Sequence, residues 1–150
     1  MPKVVVLIGS ITVCQAAGLI GSVFTAQSVQ TWYPTLAKPF FTPPSWIFAP
    51  VWTTLYLLMG ISLYLVLGKK KADLRWFWLQ LVLNVLWSIV FFGLQSPALG
   101  FLVILALFIS IAMTIKSFVK IDKRAAYLFY PYLAWVIFAT LLNLALVILN

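Results

Sequence analysis

WFWLQLVLNVLWSIVFFGL (Trp76 to Leu94), then Gln95-Ser96-Pro97, then ALGFLVILALFISIAMTI (Ala98 to Ile115) is the stretch that decides the architecture of this chain. Each flanking run is close to the roughly 20 apolar residues that a helix needs to cross a bilayer. Three connecting residues then force the two helices into an antiparallel hairpin. Neither run alternates apolar and polar residues with a period of two, which argues against a membrane β-barrel. Moving outward, three more runs of the same kind appear at Val4 to Ala26, Trp46 to Gly68 and Ala126 to Leu149. The expectation is an all-α integral membrane protein, one domain over residues 1–150, built as a bundle of five transmembrane helices. Composition agrees: the chain is 65% hydrophobic and 8% charged, with mean hydropathy +1.13, far from a soluble domain. The first run is longer than the core of a secretory signal and has no convincing small-x-small cleavage site near Ala26, so it is read as a retained span.

Ten basic residues face only two acidic ones. In a soluble protein that excess would suggest nucleic acid, but here it is sorted by loop. Lys3, then Lys69, Lys70, Lys71 and Arg75, then Lys116, Lys120, Lys123 and Arg124 fall on one side of a five-span chain, and Lys38 alone on the other. The positive-inside rule puts the N-terminus in the cytoplasm of a bacterial-type plasma membrane, and the clusters read as topology signals resting on anionic headgroups rather than as a nucleic-acid site. The mitochondrial outer membrane is the counterpart if the source is eukaryotic. Cys14 is the only cysteine and histidine is absent. No disulfide or metal site is expected, and no cofactor.

The connection between the first two spans, Gln27 to Ser45, carries Trp32, Tyr33, Lys38 and the prolines Pro34, Pro39, Pro43 and Pro44. So stiff and aromatic a loop reads as a lid. In the first span Ser10, Cys14, Gly18 and Ser22 recur every four residues, a stripe of small side chains that lets another helix approach, within the bundle or across a dimer interface. Pro50 and Pro131, early in the second and fifth spans, are expected to free the carbonyls of Trp46 and Tyr127, a sign of a cavity or a tight crossing.

Candidate site residues follow from helical spacing. Gln80, Asn84, Trp87 and Phe91 share one face of the third span; Tyr132, Trp135, Ala139 and Asn143 share one face of the fifth; Trp52 and Tyr56 lie one turn apart in the second. The plain reading is that Asn84 and Asn143 bond across helices while the aromatics fill the bundle. The alternative is a pocket for a flat apolar ligand with a few polar edges. Asp73 and Asp122, the only carboxylates, both lie in the basic loops, so an intramembrane proton relay and general acid–base hydrolysis are excluded.

The order Trp32-Tyr33-x-x-Leu36-x-Lys38-Pro39-x-x-x-Pro43-Pro44, then Ala49-Pro50-Val51-Trp52-x-x-Leu55-Tyr56, resembles the translocator protein (TspO, peripheral benzodiazepine receptor) family. Leu83-Asn84-x-x-Trp87 with Phe91-Phe92-Gly93 is similar to its third-helix signature, and Tyr130-Pro131-Tyr132-Leu133-Ala134-Trp135-x-x-Phe138-Ala139-Thr140-x-Leu142-Asn143 to its fifth helix. The resemblance implies a five-helix bundle, often a homodimer, whose first loop lids a pocket for porphyrins, sterols and benzodiazepine-type drugs. It implies a receptor or transporter-like role in tetrapyrrole transport, sensing or stress regulation. Trp52 and Trp135 look like the two pocket tryptophans tied to porphyrin breakdown in bacterial relatives, and so are the candidate catalytic residues if the protein degrades porphyrin in light and oxygen. Asn84, Trp87, Tyr132 and Ala139 match pocket positions; Trp32, Lys38 and Pro44 match the lid. With Tyr56, Phe91 and Asn143 these make the expected ligand-binding set. Animal members carry a Tyr and then an Arg after the final Leu-Asn, as part of a cholesterol-recognition stretch. Here Leu142-Asn143 is followed by Leu144 to Asn150 with neither, which favours a tetrapyrrole over a sterol. A non-catalytic interaction protein, recruiting partners through its basic loops, is the remaining alternative.

Overall fold

The computed structural model describes residues 2–69 and 72–150, so Lys70 and Lys71 of the first basic loop lie outside the described residues. Helix α1 runs Lys3–Thr31, α2 Phe48–Val66, α3 Arg75–Ser88, α4 Pro97–Phe118, α5 Lys123–Tyr127 and α6 Tyr130–Leu149. Five segments are long and apolar enough to cross a membrane: Lys3–Thr31, Ser45–Val66, Arg75–Gly93, Pro97–Phe118 and Lys123–Leu149. There is no strand among the described residues. The protein is a multi-pass integral membrane bundle in which α1 packs along α2 and α3, and α4 along α3 and α6.

In lipid the hydrophobic effect does not drive helices together, so close van der Waals packing must. Small residues supply it. A Cβ placed at Gly60 of α2 would fall 2.5 Å from the Ile11 Cα, and one at Gly18 of α1 would fall 2.7 Å from the Tyr56 ring. Ser10 and Cys14 are buried on the same side of α1. Ser10, Cys14 and Gly18 of the small-residue stripe thus meet the bundle, while Ser22 is exposed.

The loop Gln95-Ser96-Pro97 makes the hairpin by local chemistry. Ser96 Oγ accepts from the Leu99 N–H at 3.2 Å and Pro97 occupies the first turn of α4, where its missing N–H costs nothing. Before the turn, α3 widens into a π-helical segment, Ile89–Gly93. The wider turn lets Phe91 and its neighbour Phe92 both be buried, and the Phe92 carbonyl accepts from Ser28 Oγ at 2.7 Å, tying α1 to the end of α3.

Several boundaries differ from the expected ones. Helix α1 continues to Thr31, so the connection is shorter than Gln27 to Ser45: a 3₁₀ turn at Tyr33–Thr35, an irregular stretch, and a second 3₁₀ turn at Ser45–Ile47. The last span begins earlier than Ala126, as α5, and breaks at Leu128 and Phe129 before α6. Pro131 is the second residue of α6 and Pro50 the third of α2, so each stands in a first turn, early in its span as expected. A proline in the first turn lacks only an N–H that would be unpaired anyway.

At the basic end each acid is held by the arginine two residues on. Asp73 accepts from the Arg75 guanidinium at 3.0 and 3.1 Å, and Asp122 from that of Arg124 at 2.9 and 3.2 Å. Asp122 also caps α5 through the Arg124 N–H at 2.9 Å. These bonds hold both carboxyls below the usual carboxylate range. A depressed folded-state pKa adds stability that is fully present above the unfolded value of about 4 and is lost as pH falls through the lower folded-state value. Amide protection in α5 is therefore expected to be lower well below about pH 4 than at about pH 5 while α4 stays protected, as hydrogen exchange in detergent would show. Equal protection of α5 at both pH values would contradict a carboxylate cap.

At the opposite end the loop is pinned to the end of α6. Asn150 accepts from the Ala37 N–H at 3.0 Å and donates back to the Ala37 carbonyl at 2.9 Å. Phe40 and Trp46 are largely exposed there, the placement of aromatic residues at a membrane interface.

Candidate functional site

A cavity of about 320 Å³ opens beneath the loop, between α1, α2, the end of α3 and α6. Trp52 comes from the second turn of α2, Trp87 from α3 and Trp135 from α6, and the three line one space. Phe91 stacks on Trp87, four residues before it, at 5.0 Å and 23°. Trp135 is braced by Phe48 at 6.4 Å and Phe138 at 5.5 Å. Small residues of α1, among them Gly18, Gly21, Ser22 and Ala26, form the remaining wall and leave room that larger side chains would fill.

The floor is a hydrogen-bonded relay. Tyr56 donates its hydroxyl to Asn84 Oδ1 at 2.6 Å, and Asn84 Nδ2 donates to the Tyr132 hydroxyl at 2.6 Å. All three residues are buried, Tyr132 completely. Nearer the loop, Trp87 Nε1 donates to Asn143 Oδ1 at 3.1 Å while Asn143 Nδ2 donates to the Pro97 carbonyl at 2.8 Å. The Trp87 indole, the Asn84 and Asn143 amides and the Tyr56 and Tyr132 phenols are thus paired with protein groups on α2, α3, α4 and α6. Such a space suits a flat, largely apolar molecule.

Matched against known proteins, residues 10–149 fit the profile of the TspO/MBR family. The chain belongs to the TspO/MBR family. It is 48% identical over 151 residues to the tryptophan-rich protein TspO of Archaeoglobus fulgidus, covering 96% of each chain. It is 38% identical over 121 residues to the tryptophan-rich sensory protein of Cereibacter sphaeroides, 79% of this chain and 77% of that one. The translocator protein of Homo sapiens is 38% identical over 131 residues, 83% of this chain and 78% of its own. Membership places the chain in a family of membrane receptor and sensor proteins with bacterial and mitochondrial members.

Eight of the twelve residues expected at the TspO/MBR pocket line this cavity: Trp52, Tyr56, Asn84, Trp87, Phe91, Trp135, Ala139 and Asn143. Four do not. Tyr132 lies beneath the floor, wholly buried, with its hydroxyl taken by Asn84. Trp32 packs its edge on Phe91 at 5.6 Å, behind the wall. Lys38 is turned to the Leu36 carbonyl at 3.1 Å and sits over the Tyr33 ring, and Pro44 caps the second 3₁₀ turn. Gln80 shares a face with Asn84 but lies a turn deeper, against Met59 at 3.8 Å, and does not reach the cavity.

The α1 wall was not among the expected site residues, although a signal for it exists. Continuing the Ser10, Cys14, Gly18, Ser22 series by four reaches Ala26, and Gly18, Ser22 and Ala26 all line the space. Trp135 and Phe138 have a second role that spacing alone does not show. They also line a second groove between α2 and α6, where Pro50 and Pro131 both lie, so these two side chains border both spaces.

Proposed function

We propose that this TspO/MBR protein is a tetrapyrrole receptor of the membrane, with the macrocycle held between the walls of Trp52, Trp87 and Trp135 and covered by the Trp32 to Ser45 connection. The carrying observation is that three tryptophans from three helices converge on one cavity whose amides are already matched to protein partners. A macrocycle offers large π faces and few polar atoms, and stacking on several aromatic walls is the interaction left to it. The basic end, with the N-terminus, faces the cytoplasm in this reading, so the covered cavity opens toward the other side.

A second reading makes the protein a light-dependent porphyrin-degrading catalyst. It is favoured by the contacts of Trp52 with Tyr56 at 5.8 Å and with Tyr132 at 6.2 Å, a set of oxidisable rings adjoining the cavity.

Titrating the purified chain with protoporphyrin in the dark and under light, while following tryptophan quenching and the porphyrin band, tests both. Saturable quenching with an unchanged band supports the receptor; saturable quenching with loss of the band only under light supports the catalyst. No saturable quenching removes tetrapyrroles as the ligand class. Replacing Trp52 and Trp135 together by Phe is expected to weaken binding about tenfold, from two stacking contacts of roughly 0.5–1.5 kcal/mol each, and to abolish any photoconversion without unfolding the chain. Unchanged affinity and conversion in that variant would remove both tryptophans from the site.

A further inference from the structure

The spanning helices are not packed equally closely all the way round. Helix α1 lies along α2 and α3, α4 along α3 and α6, and α5 against α2 and α4, whereas α2 and α6 hardly approach one another. The seam between these two is nonetheless bridged at both ends. At the loop end Phe48 and Trp135 meet edge to face at 6.4 Å, and Phe41 of the connection meets Phe138 in the same way at 6.1 Å. At the basic end Ser62 Oγ donates to the Ala125 carbonyl at 2.8 Å, which ties α2 to α5.

Between the bridges the seam is the groove lined by Thr54 and Leu58 of α2 and by Ala134, Trp135 and Phe138 of α6. Thr54 and Ala134 are exposed, so the groove faces out of the bundle. All its lining residues lie within the spanning segments Ser45–Val66 and Lys123–Leu149, and none is charged. Its one hydroxyl, on Thr54, donates to the Pro50 carbonyl at 2.8 Å. Such a surface makes no demand for water, and on a membrane span its neighbour is hydrocarbon. From Pro50 to Leu58 it follows about 12 Å of α2, at 1.5 Å per residue, enough to lay down a stretch of acyl chain.

Trp135 and Phe138 line the loop-covered cavity as well as this groove. The other approaches to the cavity are held more firmly. A Cβ at Gly60 would fall 2.5 Å from the Ile11 Cα, so α1 and α2 leave no gap there, and the connection is pinned by the paired bonds of Asn150 to Ala37.

We infer that the seam between α2 and α6 is a lipid-facing site: it seats an acyl chain of the bilayer, and by displacing that chain an apolar molecule reaches the cavity past Trp135 and Phe138. The inference rests on the cavity being a ligand site, as proposed above, and adds the route. An apolar ligand is concentrated in hydrocarbon rather than in water, so lateral entry spares it a passage through the aqueous phase. Narrowing such a port raises a barrier that is crossed in both directions, so entry and exit slow equally and affinity is kept.

Two measurements on the full chain in phosphatidylcholine vesicles test this. In the first, vesicles with dibrominated oleoyl chains quench the tryptophans that touch acyl chains. Part of that quenching is expected to disappear in Trp135→Phe, and most of the same part in Ala134→Phe, which fills the groove. Equal quenching of the parent and Trp135→Phe would overturn the seating of a chain in the seam.

The second follows saturable tryptophan quenching by pyrene and by protoporphyrin in stopped flow. Ala134→Phe is expected to slow entry and exit each at least about fivefold while affinity stays within about twofold, and Ala134→Leu, the milder filling, to act in the same direction. Ile137→Phe, exposed on α6 and lining neither space, should change nothing, and neither should Asn150→Ala, which releases the connection. Unchanged rates in both Ala134 variants, or faster exchange in Asn150→Ala alone, would overturn the route. Pyrene exchange that slows in Ala134→Phe, without porphyrin binding, would fell the tetrapyrrole reading and keep this one. Saturable protoporphyrin binding with rates untouched by Ala134→Phe would do the reverse, and no saturable quenching by either compound would overturn both.

Discussion

Substituting Gly60 by leucine is expected to prevent stable folding of the bundle, with the chain aggregating on size exclusion in detergent. Even Gly60→Ala should lower stability by about 3 kcal/mol, the upper end of ordinary overpacking. The reason is what the new atom meets. A Cβ at Gly60 would lie 2.5 Å from the Ile11 Cα and 3.0 Å from its backbone nitrogen, and backbone within α1 cannot move aside without shifting the helix. The α1–α2 contact would have to open. That contact carries the α1 wall of the cavity, so ligand affinity should fall with stability. Gly9→Ala is the matched control, since nothing lies within 4 Å of its added atom, and it should be neutral or slightly stabilising through helix propensity. Equal melting temperatures for Gly60→Ala and the parent would show that α1 and α2 are not held this closely.

The second large effect is expected at the cavity floor. Asn84→Leu removes both ends of the Tyr56–Asn84–Tyr132 relay and leaves two buried hydroxyls without partners. The figure for an unmatched buried group, about 1–3 kcal/mol, competes here with the smaller values measured for hydrogen bonds between membrane helices, about 0.6 kcal/mol on average. Complete burial of Tyr132 and the two short 2.6 Å bonds favour the larger figure, so a loss of about 2 kcal/mol is expected. Tyr132→Phe keeps the ring and removes one bond, and should cost about half as much. Combining it with Asn84→Leu should be clearly less than additive, because the same bond is lost twice. Thermal unfolding in detergent measures all three variants, and strict additivity would mean that the three side chains do not act as one relay. The same floor sets the depth of the cavity, so Asn84→Leu is also expected to weaken ligand binding beyond what the stability change alone explains.

Both effects turn on which helix meets which, and this marks the limit of reading along the chain. The five spans, the tight hairpin at Gln95-Ser96-Pro97 and the aromatic connection were legible in the sequence. Each depends on hydropathy over about 20 residues or on a turn of three, and such signals are local. Family membership was legible for a similar reason, since the motifs around Trp32, Trp52, Asn84 and Trp135 are contiguous. Eight cavity residues were also legible, as faces of single helices at three- and four-residue spacing.

Tertiary structure decided the rest. Spacing places Asn84 and Tyr132 on inward faces, but only the approach of α6 to α3 makes Tyr132 a partner of Asn84 rather than a wall of the cavity. Spacing gives α1 a small-residue stripe, but only the depth of α2 against it determines that Gly18 and Ser22 border an empty space. Trp135 and Phe138 read in sequence as two aromatics of the last span. That they border two spaces emerges only once α6 packs on α4 and stands off from α2. Hydropathy and spacing are properties of one element at a time, whereas the allocation of hydrogen bonds and empty volume depends on residues far apart in the chain, and is settled only when the helices pack.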